Sequence, residues 1–153
     1  MSRRAEIAMA ADEVAAFIAD QRVVTCATLG HDGWPHLMPL WFVLRDGECW
    51  AWTYAKSQKV RNLERDPRCT LQFETGDSYD QLRGVMLKCE TEIARELDAV
   101  AGVGAEIAER YGGVALDDGA RGAILAQAAK RVALRFRVRG TASWDHRKLG
   151  GGY

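Results

Sequence analysis

The segment Thr53–Asn62 carries the residue types that most readily bind a phosphate group. We expect a strand to end at Thr53 and a helix to begin at Ser57. Lys56 and Lys59 lie on either side of that serine. The first turn of a helix leaves backbone N–H groups free at the positive end of the helix dipole. A hydroxyl and an ammonium group beside them favour an anion. The spacing alone is also compatible with a capped surface helix and solvated lysines.

Aromatic residues are concentrated just before this segment, in two apolar runs that read as strands. Alternation places Trp50, Trp52 and Tyr54 on one face of the second strand, where we expect barrel core or a dimer interface. The first strand contains Pro39, which has no N–H to donate. This predicts an edge, a bulge, or a position that faces something other than a neighbouring strand. A flat apolar ligand would be lined there by the backbone of Met38, Pro39, Leu40 and Trp41.

The end of the chain, residues 142–153, is polar and rich in glycine and carries two aromatic residues, Trp144 and Tyr153. We expect an extended C-terminal tail. It either has no fixed partner, as many termini do, or docks on a partner subunit or closes over a pocket.

Other kinds of site are not supported by the spacing of reactive residues. The four cysteines form no CxxC pair and lie in apolar runs, which predicts buried free thiols. The three histidines, His31, His36 and His146, have no metal-ligand spacing, so we predict no metal site. A GxGxxG sequence and a Ser-His-Asp arrangement are both absent, and we identify no catalytic residue.

Composition indicates one ordinary globular domain over residues 1–153. The chain has 48% hydrophobic residues, and its 21 basic residues balance 21 acidic ones. A net charge of zero argues against a nucleic-acid partner. No apolar run reaches the roughly 18 residues of a membrane span, and the N-terminus lacks a signal-peptide pattern, so we expect a cytoplasmic protein.

Hydrophobic periodicity predicts more strand than helix. Helices are expected over 10–20, with Asp12 as the N-cap, and over 57–66, 96–111 and 117–129. Strands are expected over 22–29, 35–44, 48–54, 68–75, 82–95 and 131–141. Because turn residues join most strands as hairpins, the pattern favours a mainly β (α+β) fold, an antiparallel barrel with flanking helices.

Three stretches, TLGHDGWPHLMPLWF, WTYAKSQKVRNLERDPR and WDHRKLGGGY, resemble the pyridoxamine 5'-phosphate oxidase-like split β-barrel family. The likeness covers roughly residues 12–153. The K-V-R-N-L-x-x-D-P-R run resembles the coenzyme F420-dependent reductase branch, which includes biliverdin reductases. The resemblance implies a split antiparallel β-barrel and a homodimer with cofactor sites at the subunit interface.

The resemblance also implies roles for particular residues. The strand Leu37–Phe42 would run along the flavin or deazaflavin ring. The phosphate would be held by Thr53, Lys56, Ser57 and Lys59, with Asn62 supporting that loop. The partner subunit would bring Trp144 to Lys148 close to the same pocket. Arg61, Lys56 and the arginines of the strand Arg131–Arg139 are candidates to pair with a carboxylate-bearing cofactor tail.

The cofactor expectation is coenzyme F420, with FMN as the alternative. FMN-using oxidases of this family carry an arginine and a lysine on the ring strand and an S-R-K phosphate motif. Here Leu37 and Phe42 stand on the strand, and the motif is Ser57-Gln58-Lys59. The expected function is hydride transfer from reduced F420 to a planar conjugated acceptor. A flavin oxidoreductase on FMN and a non-catalytic carrier of F420 or haem are the alternatives.

Overall fold

The computed structural model describes residues 2–150. Its strands are β1 (Val24–Leu29), β2 (Pro35–Leu40), β3 (Val43–Arg45), β4 (Glu48–Tyr54), β5 (Arg68–Thr75), β6 (Arg83–Ala94) and β7 (Arg131–Asp145). Its helices are α1 (Arg3–Glu6), α2 (Ala11–Asp20), α3 (Gln58–Arg65), α4 (Leu97–Gly112) and α5 (Asp118–Ala128), with 3₁₀ turns at Tyr79–Gln81 and His146–Leu149.

The seven strands form one curled antiparallel sheet in the order β2-β1-β5-β6-β7-β4-β3. The strands enclose one apolar core, and the helices pack around it. This confirms the prediction of a mainly β split barrel with flanking helices. Within residues 2–150, no helix is long and apolar enough to cross a membrane.

A second apolar cluster lies outside the barrel, beneath α4. Alternation along β4 turns Cys49 and Ala51 into the barrel, while Trp50 and Trp52 pack against the second cluster. The Trp52 ring lies so close to Gly104 that a Cβ there would be 2.4 Å from a ring carbon. Trp50 and Trp52 are therefore neither barrel core nor free surface, because α4 covers them.

Two predicted elements differ from the structure at their ends. The helix at the N-terminal side is capped by Ala10 rather than Asp12, and the Glu13 carboxylate accepts a hydrogen bond from the Ala10 N–H at 2.6 Å. The predicted strand 35–44 is divided into β2 and β3. Pro39 itself lies in regular pairing with Thr25, on the edge strand that its missing N–H predicted.

The C-terminal stretch is packed into the fold up to residue 149, which corrects the expectation of a tail from residue 142. β7 continues to Asp145, and Trp144 pairs with Gly84 of β6. A Cβ at position 84 would lie 2.0 Å from the Trp144 ring, so glycine makes the space for the indole. Residues 151–153 of the predicted tail lie outside the described residues.

Candidate functional site

Ser57 begins α3 with the extended backbone of an N-cap residue, φ −68° and ψ 154°. An N-cap hydroxyl ordinarily accepts a hydrogen bond from the first turn of its helix. The Ser57 Oγ makes no such bond, and it is buried without a hydrogen-bond partner among the described residues. A buried hydroxyl in this state is available to a ligand.

Lys59 lies in the first turn of α3 and is only 7% exposed. Its Nζ donates to the Thr53 Oγ1 at 3.1 Å, and no carboxylate within residues 2–150 reaches it at ion-pair distance. Burial lowers the pKa of the Lys59 ammonium from its ordinary value of 10.5. An ammonium group has three donors. The remaining donors and the unpaired charge would therefore be satisfied by an anion.

Asn62 connects α3 to the barrel. Its side chain is fully buried, and its Nδ2 donates to the Thr28 Oγ1 of β1 at 3.0 Å. The Asn62 Oδ1 accepts from the Gln58 Nε2 at 2.8 Å. These bonds fix the first turns of α3 against β1, and Lys56 lies exposed in the preceding loop.

The strand β2 lies beside β1 at the free edge of the sheet. Cross-strand pairing places Met38 opposite Cys26 and Leu40 opposite Val24, so Met38 and Leu40 share the interior face. Leu40 is buried, whereas Met38 is 42% exposed. The strand therefore offers apolar surface at the open edge of the barrel.

The predicted strand 35–44 is broken at Trp41 and Phe42, where side chains of α4 contact the chain. The Trp41 indole stacks on the Tyr111 ring, with centroids 4.4 Å apart and an angle of 9° between planes. The Tyr111 hydroxyl accepts from the Phe42 N–H at 3.1 Å and donates to the Arg22 carbonyl at 2.8 Å. Arg110 donates to the Phe42 carbonyl. These side chains satisfy backbone groups that a continuous strand would pair.

Sequence reasoning missed Tyr111 and Arg110. They lie 69 and 68 residues from Phe42 along the chain. Their position at the end of an amphipathic helix gives no signal of a role in a distant strand. Trp41 keeps 56% exposure because only one face of its ring is covered.

The C-terminal candidates lie away from α3 within one chain. Trp144 packs against Gly84, and the Lys148 Nζ donates to the Ala8 carbonyl at 2.9 Å and to Glu13 at 2.6 Å. Lys148 is therefore held by the α1–α2 segment and Trp144 by β6. Their predicted approach to the pocket concerns a partner subunit, and it stays a prediction.

The arginines of β7 also have partners inside the chain. Three of them pair with carboxylates of β4 and β6: Arg135 with Glu48, Arg137 with Glu92 and Arg139 with Glu90. Arg131 instead stacks over Trp52 and Tyr54, at 4.4 and 4.1 Å from the ring centroids. These contacts leave the three paired arginines less suited to a cofactor tail than the sequence suggested.

All four cysteines are buried free thiols, as predicted. Burial raises the pKa of the Cys49 thiol to about 12. Among residues 2–150, no group of three or more histidine, cysteine, aspartate or glutamate side chains is arranged to hold a metal ion.

Solved structures match this architecture closely. A conserved hypothetical protein of Mycobacterium tuberculosis, Rv2991, is 44% identical, with a TM-score of 0.90 over 100% of this chain and 95% of that one. An F420 reductase is 20% identical, with a TM-score of 0.65 over 83% of this chain and 94% of the other. HutZ, the haem storage protein of Vibrio cholerae, is 15% identical, with a TM-score of 0.66 over 87% and 94%.

The two distant structures share the fold alone with this chain. No curated protein matches the sequence significantly. The family model for pyridoxamine 5'-phosphate oxidase matches residues 10–145, which is nearly the whole chain. The chain therefore belongs to the pyridoxamine 5'-phosphate oxidase family.

Proposed function

We propose that the protein binds coenzyme F420 and passes a hydride from its reduced form to a planar conjugated acceptor. The observation that carries the proposal is the pair of buried, incompletely bonded donors at the start of α3, Ser57 Oγ and Lys59 Nζ. A phosphate diester fits them, because its anionic oxygens supply both a counter-charge and acceptors. When bound, the deazaflavin supplies the hydride chemistry, and the protein supplies position and exclusion of water.

Each of the remaining site residues has a role in this proposal. Thr53 orients the Lys59 ammonium, and Asn62 holds the helix that carries it. Lys56, exposed in the loop, adds positive charge at the rim. The backbone and side chains of Met38, Pro39, Leu40 and Trp41 would lie along the ring.

The choice of F420 over FMN rests on the charge of β2. The strand contains no arginine or lysine, and its exposed side chains at the edge are apolar. A neutral, apolar ring site with a basic rim suits F420, whose tail carries carboxylates, and the resemblance to F420-dependent reductases favours the same cofactor. The 20% identical F420 reductase has the same fold.

We also propose that a second copy of the chain completes each site. Leu29 and Leu37 lie 41% and 56% exposed on the outer face of β1 and β2. Beside Leu29 is an open groove of about 510 Å³, whose lining includes Leu29 and Pro35 as well as the charged side chains of Lys88 and Arg139. Apolar surface of this kind is typical of an interface between subunits. The partner's C-terminal residues around Trp144 and Lys148 would then approach the cofactor.

The alternatives are an FMN enzyme on the same barrel and a carrier that binds F420 or haem without turnover. The resemblance of fold to a haem storage protein makes haem the second ligand to test. The purified protein would be titrated in parallel with F420, FMN and haemin, with fluorescence and absorbance detection. Bound F420 would then be reduced and mixed anaerobically with biliverdin and a quinone.

We expect micromolar or tighter binding of F420, weaker binding of FMN, and oxidation of reduced F420 by an acceptor. Tighter binding of FMN than of F420 would show that the cofactor is FMN, and the protein would still be proposed to be an oxidoreductase. Tight binding without oxidation by any acceptor would support the carrier.

A further inference from the structure

His36 of β2 is an unexplained polar residue at the edge of the proposed pocket. Its pairing partner is Thr28 of β1, and partners directly opposite in a sheet project from the same face. Thr28 is 2% exposed and lies inside the barrel. The His36 Nδ1 is also buried, and it has no hydrogen-bond partner within residues 2–150.

Two hydrogen bonds link Thr28, the cross-strand partner of His36, to the start of α3. Thr28, beside His36, accepts from Asn62 at 3.0 Å, and Asn62 in turn accepts from Gln58 at 2.8 Å. Gln58 stands between Ser57 and Lys59 in the sequence. His36, whose Nδ1 is buried without a partner, is therefore the cross-strand neighbour of one end of this network. Ser57, whose Oγ is also buried without a partner, and Lys59 are the sequence neighbours of its other end, Gln58.

A buried imidazole nitrogen without a partner is unfavourable by about 1–3 kcal/mol, so such groups are ordinarily satisfied in the functional state. The Thr28 hydroxyl and the Asn62 amide are bonded within this network, and neither of them bonds Nδ1. A group from outside the described residues would supply the partner. A ligand that also bonds Ser57 and Lys59 must present several acceptor oxygens.

We propose that His36 is a ligand for the phosphate of the cofactor, donating an Nδ1–H hydrogen bond to an anionic oxygen that Ser57 and Lys59 also approach. This assignment rests on the proposed function, since it adds a residue to the phosphate site of that cofactor. Imidazole suits the role because Nδ1 carries a proton in one neutral tautomer and in the cation. Met38 of β2 and Trp41, which follows the strand, keep exposed surface for the ring.

The test compares F420 with its deazaflavin part, which lacks the phosphate and the carboxylate-bearing tail beyond it. His36→Ala, His36→Asn and His36→Gln would be titrated with F420 and with the deazaflavin riboside that lacks the phosphate. His31→Ala is the matched control, because His31 is exposed in the β1–β2 turn. We expect His36→Ala to weaken F420 binding by about tenfold or more, the scale of a charge-assisted hydrogen bond, and to leave the riboside unchanged.

The conservative variants identify the atom. The Asn side chain places an amide N–H close to the Nδ1 position, so His36→Asn should keep most of the F420 affinity, while His36→Gln should lose it. Equal losses for F420 and the riboside, or equal losses in the Asn and Gln variants, would overturn the assignment. The Asn–Gln comparison also stands if the alanine variant fails to fold.

The proposal that the cofactor is F420 can be refuted independently of the proposal that His36 binds a phosphate. If F420 does not bind, the same variants would be titrated with FMN and riboflavin, and a loss confined to FMN would keep His36 at a phosphate. A direct readout needs no cofactor: the ¹⁵N signal of His36 Nδ1 should move when inorganic phosphate is added to the protein. A signal that stays in place at saturating phosphate would contradict the proposal.

Discussion

Replacing Lys59 by methionine should change ligand binding and stability in opposite directions. The Lys59 ammonium is buried, has Thr53 as its hydrogen-bond partner and has no carboxylate beside it within the described residues. Loss of its bond to a phosphate should weaken F420 binding by about 1.5–3 kcal/mol, or about 10- to 150-fold. Methionine fills a similar volume without a buried charge, so the ligand-free variant should be equally or more stable.

The pH dependence follows from the lowered pKa of Lys59. Between that pKa and the unfolded value near 10.5, the unfolded chain binds more protons at this site than the folded chain does. The contribution of Lys59 to the free energy of unfolding therefore rises with pH through this window and is smallest below it. Methionine does not titrate, so the free energy of unfolding of the variant has no pH dependence from position 59. The stability advantage of the variant over the wild type should therefore become smaller as the pH rises.

The measurement is urea unfolding of both ligand-free proteins from about pH 7 to pH 10, taken as a difference so that other titrating groups cancel. Lys56→Met is the control, because Lys56 is exposed in the adjacent loop. It should leave the stability within about 0.5 kcal/mol of wild type. A Lys59→Met protein that binds F420 normally, or that is less stable by about 2 kcal/mol at neutral pH, would refute this account of the site.

Three further predictions concern the supports of the site. Tyr111→Phe should lower the free energy of unfolding by about 1–3 kcal/mol, because the backbone N–H of Phe42 loses a buried acceptor. An unchanged urea midpoint would show that this hydrogen bond does not stabilise the fold. Gly84→Ala should lower the free energy of unfolding by about 1–3 kcal/mol, because the new Cβ collides with the Trp144 ring. Adding Trp144→Ala to that variant should recover part of the lost stability. Lys148→Met should reduce stability by less than about 1 kcal/mol, as expected for an exposed ion pair. A clear fall in F420 affinity for that variant would place its amine at the partner's cofactor, while unchanged affinity would exclude it.

Local patterns in the sequence were sufficient to predict most of the barrel. The bounds of β4 and β5 agree residue for residue with the strands expected over 48–54 and 68–75. Both strands alternate between buried and more exposed residues, β5 as far as Glu74, and both are bounded by strong turn or helix signals. Asp46 and Gly47, at φ 51° and 79°, form the hairpin turn that their types predicted.

The sequence reading failed where distant contacts determine the local structure. The strand breaks at Trp41 because Tyr111 and Arg110 of α4 satisfy the backbone of Phe42. The polar C-terminal stretch continues as strand because Gly84 leaves room for Trp144. Neither partner is near its target in the chain, and periodicity reports only neighbours in sequence.

The candidate site residues also differ in whether they lie close together in the sequence. Thr53, Lys59 and Asn62 could be found because they lie within one strand–helix junction, where a few consecutive residues determine the geometry. His36 could not, because its place beside Thr28 depends on the register of β1 with β2. The junction alone offers one hydroxyl and one lysine, an arrangement that a solvated helix start also displays. The proposed addition of His36, whose Nδ1 is buried and has no partner within residues 2–150, would give a multidentate anion a third contact beside Ser57 and Lys59.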